Sequence, residues 1–306
     1  MAGTSILMGP QPIQFHDALY PAFLGALGID VSLPVDEKVR LLKAIPEEKW
    51  PTVPPNLPSR PVMDGSFIPE IPSFKGLQDV SHTVGKPSWL ESAVFTDCKD
   101  DVTFLKVDAH SKGHILRFGF SKHKDIAATF ASFLKANLPT ELAARLLSGY
   151  GIVPHIDDAD ALTRILDIFS AVTFYAPAVV YSKAFEGRSY LLHFDQKNSF
   201  SGPLIGRASH ILDAAYLFQN YNSYLNPDEV VVAEEFGKRV ITFINGKEPW
   251  QKYDETGRAL VLGDGGVQET NFLEYNGRNK EIWRITDEIG GDKLSSVLFA
   301  YMASAH

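Results

Sequence analysis

Two periods run through the apolar positions of this chain, and the stretches that carry each one predict its elements. Between His16 and Leu27, the residues Ala18, Leu19, Ala22, Phe23, Ala26 and Leu27 recur at helical spacing, and Val39, Leu41, Leu42 and Ile45 repeat the habit over 36–45. Segments 125–134 and 141–147 also read as helices. The clearest helix covers 157–174, where Leu162, Ile165, Leu166, Phe169 and Val172 line one face. Asp157, Asp158 and Asp160 crowd its first turn, the end at which the helix dipole favours negative charge. A helix over 229–244 turns Val232, Phe236, Val240, Phe243 and Ile244 inward and stops at Asn245-Gly246. A last helix over 279–289 is followed, beyond Gly290-Gly291, by the apolar run 294–302.

Strand-like runs are fewer. Residues 90–96, with Val94 and Phe95, form one that ends in the acidic cluster Asp97-Cys-Lys-Asp-Asp101, and residues 189–194 form another. Weaker candidates lie near Ile6 and Leu260. Helices alternating with short apolar strands predict an α/β fold. Pro51, Pro54, Pro55, Pro58 and Pro61 rule out regular structure locally and predict a connector over 51–76 within a single domain spanning 1–306.

Composition narrows the function classes. With 45% apolar and 11% aromatic residues the chain has the material for a substantial core. A net charge of -8 and the lack of a basic stripe argue against a nucleic-acid partner, because phosphate contacts need clustered Lys and Arg. No run of about 18 apolar residues predicts a membrane span. Cys98 is the single cysteine, so an internal disulfide is excluded. That, with no signal-peptide pattern over Met1 to Pro12, points to a cytoplasmic setting.

The chemistry centres on the stretch from Tyr190 to Phe218. A buried strand, Tyr190-Leu-Leu-His-Phe-Asp195, runs into a loop rich in Gly, Asn and Ser, which delivers His210 just before an apolar helical turn. An imidazole held on a loop beyond a strand end is where an α/β enzyme places a general base. Read without further context, His210 is equally a hydrogen-bonded histidine under a helix start, and Asp101 a carboxylate on a solvated turn. Asp213, three residues after His210, reads as a local cap or loop anchor.

Four landmarks in order give the chain a resemblance to the type-B carboxylesterase and lipase family, which includes the cholinesterases and fungal esterases. They are Met1-Ala-Gly-Thr-Ser-Ile-Leu-Met8; Pro61-Val-Met-Asp-Gly-Ser-Phe-Ile-Pro69; Phe174-Tyr-Ala-Pro177 leading into Tyr190-Leu-Leu-His-Phe-Asp195; and Phe243-Ile-Asn-Gly-Lys-Glu-Pro-Trp-Gln-Lys-Tyr253, and the strand-loop-His order around His210 resembles the family's catalytic-histidine segment. Met1 to Met8 is similar to the strand end and loop that follow the nucleophile helix in these enzymes. The resemblance implies the C-terminal portion of an α/β-hydrolase fold, with the last core strands and the cap helices and without the first strands. It places His210 as general base and Asp101 as the carboxylate that orients it. Asp101 stands where the family has Glu, and Thr96 and Val102 where it has glycines. The family's Gly-x-Ser-x-Gly nucleophile elbow and its His-Gly-Gly oxyanion loop do not occur in these 306 residues. The implied ancestral activity is carboxylic-ester hydrolysis, with little expected of the chain alone. The alternative is a non-catalytic binding protein that keeps the fold.

Other motifs carry blander readings beside the functional ones. Gly119-Phe-Ser121-Lys-His123 mimics an elbow, but His123 stands where a small residue is needed, so Ser121 reads better as a helix N-cap. His110 and His114 have a metal-like spacing interrupted by Lys112-Gly113, and no third ligand accompanies them. Leu262-Gly-Asp-Gly-Gly266 reads as a hairpin turn rather than a phosphate loop. Cys98 lacks the positive surroundings that activate a thiol. No cofactor or metal is implied. The partners implied are an apolar ester and an N-terminal half, or a second copy of the chain, covering an open sheet edge.

Overall fold

The computed structural model describes residues 9–48, 61–71, 73–78, 89–103, 124–253, 257–264, 266–271 and 280–304. The landmark over Met1 to Met8, most of the proline run, Ser121, His110 and His114 lie outside them. The chain divides into two compact units, one drawn mainly from residues 8–71 and the other holding most of the remainder.

In the smaller unit a two-residue strand β1 (Gln11–Pro12) runs directly into helix α1 (Ile13–Ala26), followed by α2 (Val35–Lys43). A second short strand, β2 (Val62–Met63), pairs with β1 in parallel. The turn after it explains the Asp64-Gly65 landmark: Asp64 Oδ1 accepts the Ser66 and Ile68 amides at 2.9 Å each, and Gly65 takes φ 74. The stretch expected to be structureless connector thus contains β2, and its end enters helix α3 (Phe74–Gln78) of the larger unit. Prolines limit helix and strand only at their own positions and just before, and neither element contains one.

The larger unit is built on a four-stranded mixed sheet. β3 (Ser92–Cys98) leads, after intervening residues, to helices α4 (Ile126–Asn137), α5 (Thr140–Gly149) and α6 (Asp158–Ser170). Asp157 caps α6 by accepting the Ala159 amide at 2.8 Å, and Asp158 accepts the Ile126 amide at the start of α4, also at 2.8 Å. The helix does not stop near residue 174. A π-turn over Ala171–Tyr175 joins it to α7 (Ala176–Ala184), with Pro177 tolerated in the first turn of the new segment. The resulting helix, Asp158–Ala184, is apolar and long enough to cross a membrane, yet 89% of its most apolar stretch is buried in this fold, so it serves as a core helix.

β4 (Arg188–Phe194) pairs in parallel with β3 from Ser92↔Arg188 to Cys98↔Phe194. Gly187 is required just before it, since a Cβ there would lie 2.5 Å from the Glu91 carbonyl oxygen. Helices α8 (Leu212–Phe218) and α9 (Pro227–Ile244) follow, the second opened by a reciprocal cap in which Asn226 and Glu229 bond each other's amides at 3.0 and 2.9 Å. β5 (Arg258–Gly263) adds in parallel to β4, and β6 (Gly266–Asn271) turns back antiparallel on β5, the hairpin expected from the glycine-rich turn. α10 (Lys280–Ile289) and α11 (Gly291–Ser304) close the described chain.

Strand alternation sorts the core. Tyr190, Leu192 and Phe194 join Leu260, Leu262, Tyr216, Val232 and Phe236 on one face, while Leu191 and Ala259 join Tyr175, Ala178 and Val179 on the other. The Asn-Gly-x-x-Pro-Trp landmark has a mechanical role in this packing. Gly246 ends α9 at φ 72, and the buried Trp250 then donates Nε1–H to the Leu191 carbonyl at 3.1 Å, tying the segment to β4.

Candidate active site at the ends of two parallel strands

β3 and β4 are hydrogen-bonded parallel neighbours, so the loops that leave their C-terminal ends emerge side by side. From β3 comes a 3₁₀ turn over Asp101–Thr103, and from β4 the loop that carries His210. His210 Nδ1 lies 2.8 Å from Asp101 Oδ1, and Asp101 Oδ2 accepts the Cys98 amide, also at 2.8 Å. Both carboxylate oxygens are therefore engaged. The two residues singled out in the sequence meet, although Asp is a carbon shorter than Glu. Neither Thr96 nor Val102 takes a positive φ, so this turn does not need glycine at those positions.

The environments of the two partners differ. Asp101 is fully buried, and burial pushes its pKa up to about 6 against the pull of the His210 ring. The His210 side chain keeps 24% of its surface exposed, its ring 5.5 Å from that of Phe174. Phe174 belongs to the π-turn, and Ser170, the residue before that turn, accepts the Val102 amide at 2.9 Å. The irregular helix segment thus supports both the acid turn and the imidazole. π-Turns recur at functional sites because the extra residue redirects side chains without ending the helix.

Beyond His210 lies an open cavity of about 890 Å³ lined by Phe200, Ile211, Phe218, Tyr221 and Tyr224 among others, with no Asp, Glu, Lys or Arg in its lining. Ile211, immediately after His210, holds φ 69, which is a strained conformation for a β-branched side chain. Asp213 is buried in the first turn of α8, and burial raises its pKa, with Cys98 and His210 close enough to pull it back. The Cys98 thiol is buried too; burial first, then the neighbouring carboxylates, hold it well above its ordinary pKa, which keeps it protonated and a poor nucleophile. Among the described residues no group of three or more His, Cys, Asp or Glu could hold a metal ion.

Sequence reading misses a second histidine–aspartate pair. His193 of β4 and Asp97 of β3 sit opposite each other in the parallel register and are joined Nδ1 to Oδ1. Both are buried, with the Tyr175 ring 5.2 Å from the imidazole. In the sequence Asp97 reads as part of a loop; β3 extends two residues further than its apolar run, and only the pairing of the strands reveals why. The available signal is a histidine inside an otherwise apolar strand.

No family model matches this sequence, and no curated protein matches it. Solved structures do match. The carboxylesterase EST55 of Geobacillus stearothermophilus is similar at a TM-score of 0.57 and 16% identity, over 92% of this chain and 57% of its own. A PNB esterase is similar at 0.55 and 16%, over 89% of this chain and 55% of that one, and a thermophilic PNB esterase at 0.53 and 17%, over 89% and 55%. The chain therefore has a partial α/β-hydrolase fold and spans a little over half the length of these enzymes. That share agrees with the C-terminal portion implied by the order of the sequence landmarks.

Proposed function

We propose that this chain supplies the general base and the orienting acid of a serine-type carboxylic-ester hydrolase. The observation that carries the reading is the 2.8 Å contact between His210 Nδ1 and the buried Asp101 carboxylate, at the mouth of an apolar cavity. In such a site the imidazole takes the proton of an attacking hydroxyl and returns it to the leaving alcohol. The carboxylate fixes the ring's tautomer and stabilises the imidazolium. An apolar, uncharged ester suits the aromatic lining, since a charged group there would lose hydration without a partner.

The serine comes from a nucleophile elbow outside these 306 residues, because Gly-x-Ser-x-Gly does not occur in them. Alone, the 306 residues are expected to hydrolyse esters negligibly, since loss of a triad member costs roughly four orders of magnitude or more. Combining the chain with an N-terminal esterase half that bears the elbow should generate p-nitrophenyl ester turnover, and His210→Ala should abolish it. Turnover by the chain alone, with Ser121 labelled by a fluorophosphonate probe, would refute this division of labour.

A second reading, a non-catalytic binding protein, is favoured by the exposed Phe218, Tyr221 and Tyr224 beside His210, a surface suited to an apolar partner. A soluble monomer that no elbow-bearing half activates would support it.

A further inference from the structure

We propose that Asp100, which neither the sequence motifs nor the dyad chemistry singles out, is the positioning residue that holds His210 against Asp101. Its backbone and its side chain both grip the residues just ahead of the histidine. The Asp100 amide donates to the Ala208 carbonyl at 2.9 Å, and the Ala208 amide donates back to Asp100 Oδ2 at 2.8 Å. Asp100 and Ser209 form an isolated parallel bridge, which extends the β3–β4 ladder past the ends of the strands. Its other carboxylate oxygen faces Arg207 Nη1 at 3.3 Å, and the same nitrogen reaches Asp167 Oδ1 of α6 at 3.3 Å. Three consecutive residues, 207 to 209, are thus fastened to Asp100.

Asp100 is itself immobilised. Its carbonyl accepts the Thr103 amide at 3.0 Å and the Thr103 hydroxyl at 2.5 Å, and the residue is 5% exposed. The acid turn and the histidine loop therefore move as one piece, with Asp100 clamping the loop while the adjacent Asp101 takes the imidazole. The strained φ at Ile211 gives the clamp something to resist, because a loop free to relax would carry His210 with it. The geometry alone supports this role, so it stands whether or not an elbow-bearing half restores hydrolysis.

The test uses the full chain and the ring N–H resonance of His210 in a ¹⁵N-histidine-labelled sample, assigned by its loss in His210→Gln. A hydrogen bond to carboxylate moves that resonance downfield. Two variants remove charges of opposite sign, Asp100→Asn and Arg207→Gln. If Asp100 positions the loop, both loosen the contact, and the resonance moves upfield or is lost to exchange in each, while circular dichroism shows the fold retained. A mere through-space field would move the resonance in opposite directions in the two variants. Opposite shifts, or no shift in either folded variant, overturn the proposal. Should Asp100→Asn fail to fold, Arg207→Gln decides: its side chain is partly solvent-exposed, and an upfield shift supports the clamp whereas a downfield or absent shift refutes it.

Discussion

The same two strands carry two histidine–aspartate pairs, and the contrast between them shows how position in the sheet separates a closed pair from an accessible one. Asp97 and His193 face each other inside the β3–β4 ladder; Asp101 and His210 meet a few residues further on, where both strands have ended. Partner types and ring atom are identical. Access is not: the His193 side chain is 1% exposed and packed beneath Tyr175, while that of His210 is 24% exposed and lines the cavity. A pair locked within a sheet can stabilise the fold but cannot exchange a proton with a ligand. A pair just past the strand ends keeps one partner buried and firm and the other within reach.

The largest expected effect separates the pairs by activity. In a complemented enzyme His210→Ala should lower kcat/KM by roughly four orders of magnitude or more while the protein still folds. His193→Ala should change turnover only through the fraction folded. A folded His193→Ala protein that has lost kcat would end the distinction drawn here.

Stability should show the reverse order. Removing one partner of a buried pair strands the other, so Asp97→Ala or His193→Ala should cost about 3–5 kcal/mol in denaturant unfolding. His210→Ala leaves the buried Asp101 with the Cys98 amide as a partner and should cost less, about 1–3 kcal/mol. Equal losses at the two sites would show that exposure does not set their roles.

The pH dependence bears on the Asp101–His210 pair alone. Asp101 has its pKa raised by burial from 3.8 to about 6, so the folded protein holds that proton more tightly than the unfolded chain. Its contribution is therefore complete below about pH 4 and is lost as pH rises through about 6, a change of about 3 kcal/mol, since each tenfold gain in proton affinity is worth about 1.4 kcal/mol. Chemical unfolding measured from pH 4 to 7 should show this loss in the parent and not in Asp101→Asn. Activity of the complemented enzyme should fall below about pH 6, as the carboxylate that stabilises imidazolium becomes neutral. An Asp101→Asn profile that parallels the parent would contradict the assignment.

The smallest effect tests the strain beside the exposed pair. Ile211→Gly relieves a positive φ and adds chain entropy to the unfolded state, for a net gain of about 1 kcal/mol, read as a rise in melting temperature of about 2–4 °C. Loss of stability would mean that contacts of the half-exposed isoleucine outweigh the backbone strain.

Much of this molecule was readable from residue order because its signals are local. Helical spacing in 157–174 and 229–244 and the apolar runs of β3 and β4 located the main elements, with ends displaced by a few residues. The landmark order pointed to His210 and Asp101 through likeness to a family, and the physical basis of the landmarks appears in the turn at Asp64 and the Trp250 anchor. The continuation of α6 through a π-turn into α7 was not readable: residues 171–180 are buried on every side, so no apolar period marks the extra residue, and Pro177 resembles a stop.

What the sequence alone determined is the inventory: an apolar α/β chain with one cysteine, and an imidazole and a carboxylate each following a strand. Likeness to a family named Asp101 for His210, but only the tertiary structure decided what the neighbouring carboxylates do. Asp97, Asp100 and Asp101 are near neighbours in the chain, yet one is paired within the sheet, one grips the histidine loop and one orients the histidine. That division depends on the parallel register of β3 against β4, a contact made across about a hundred residues, on which composition and spacing carry no information.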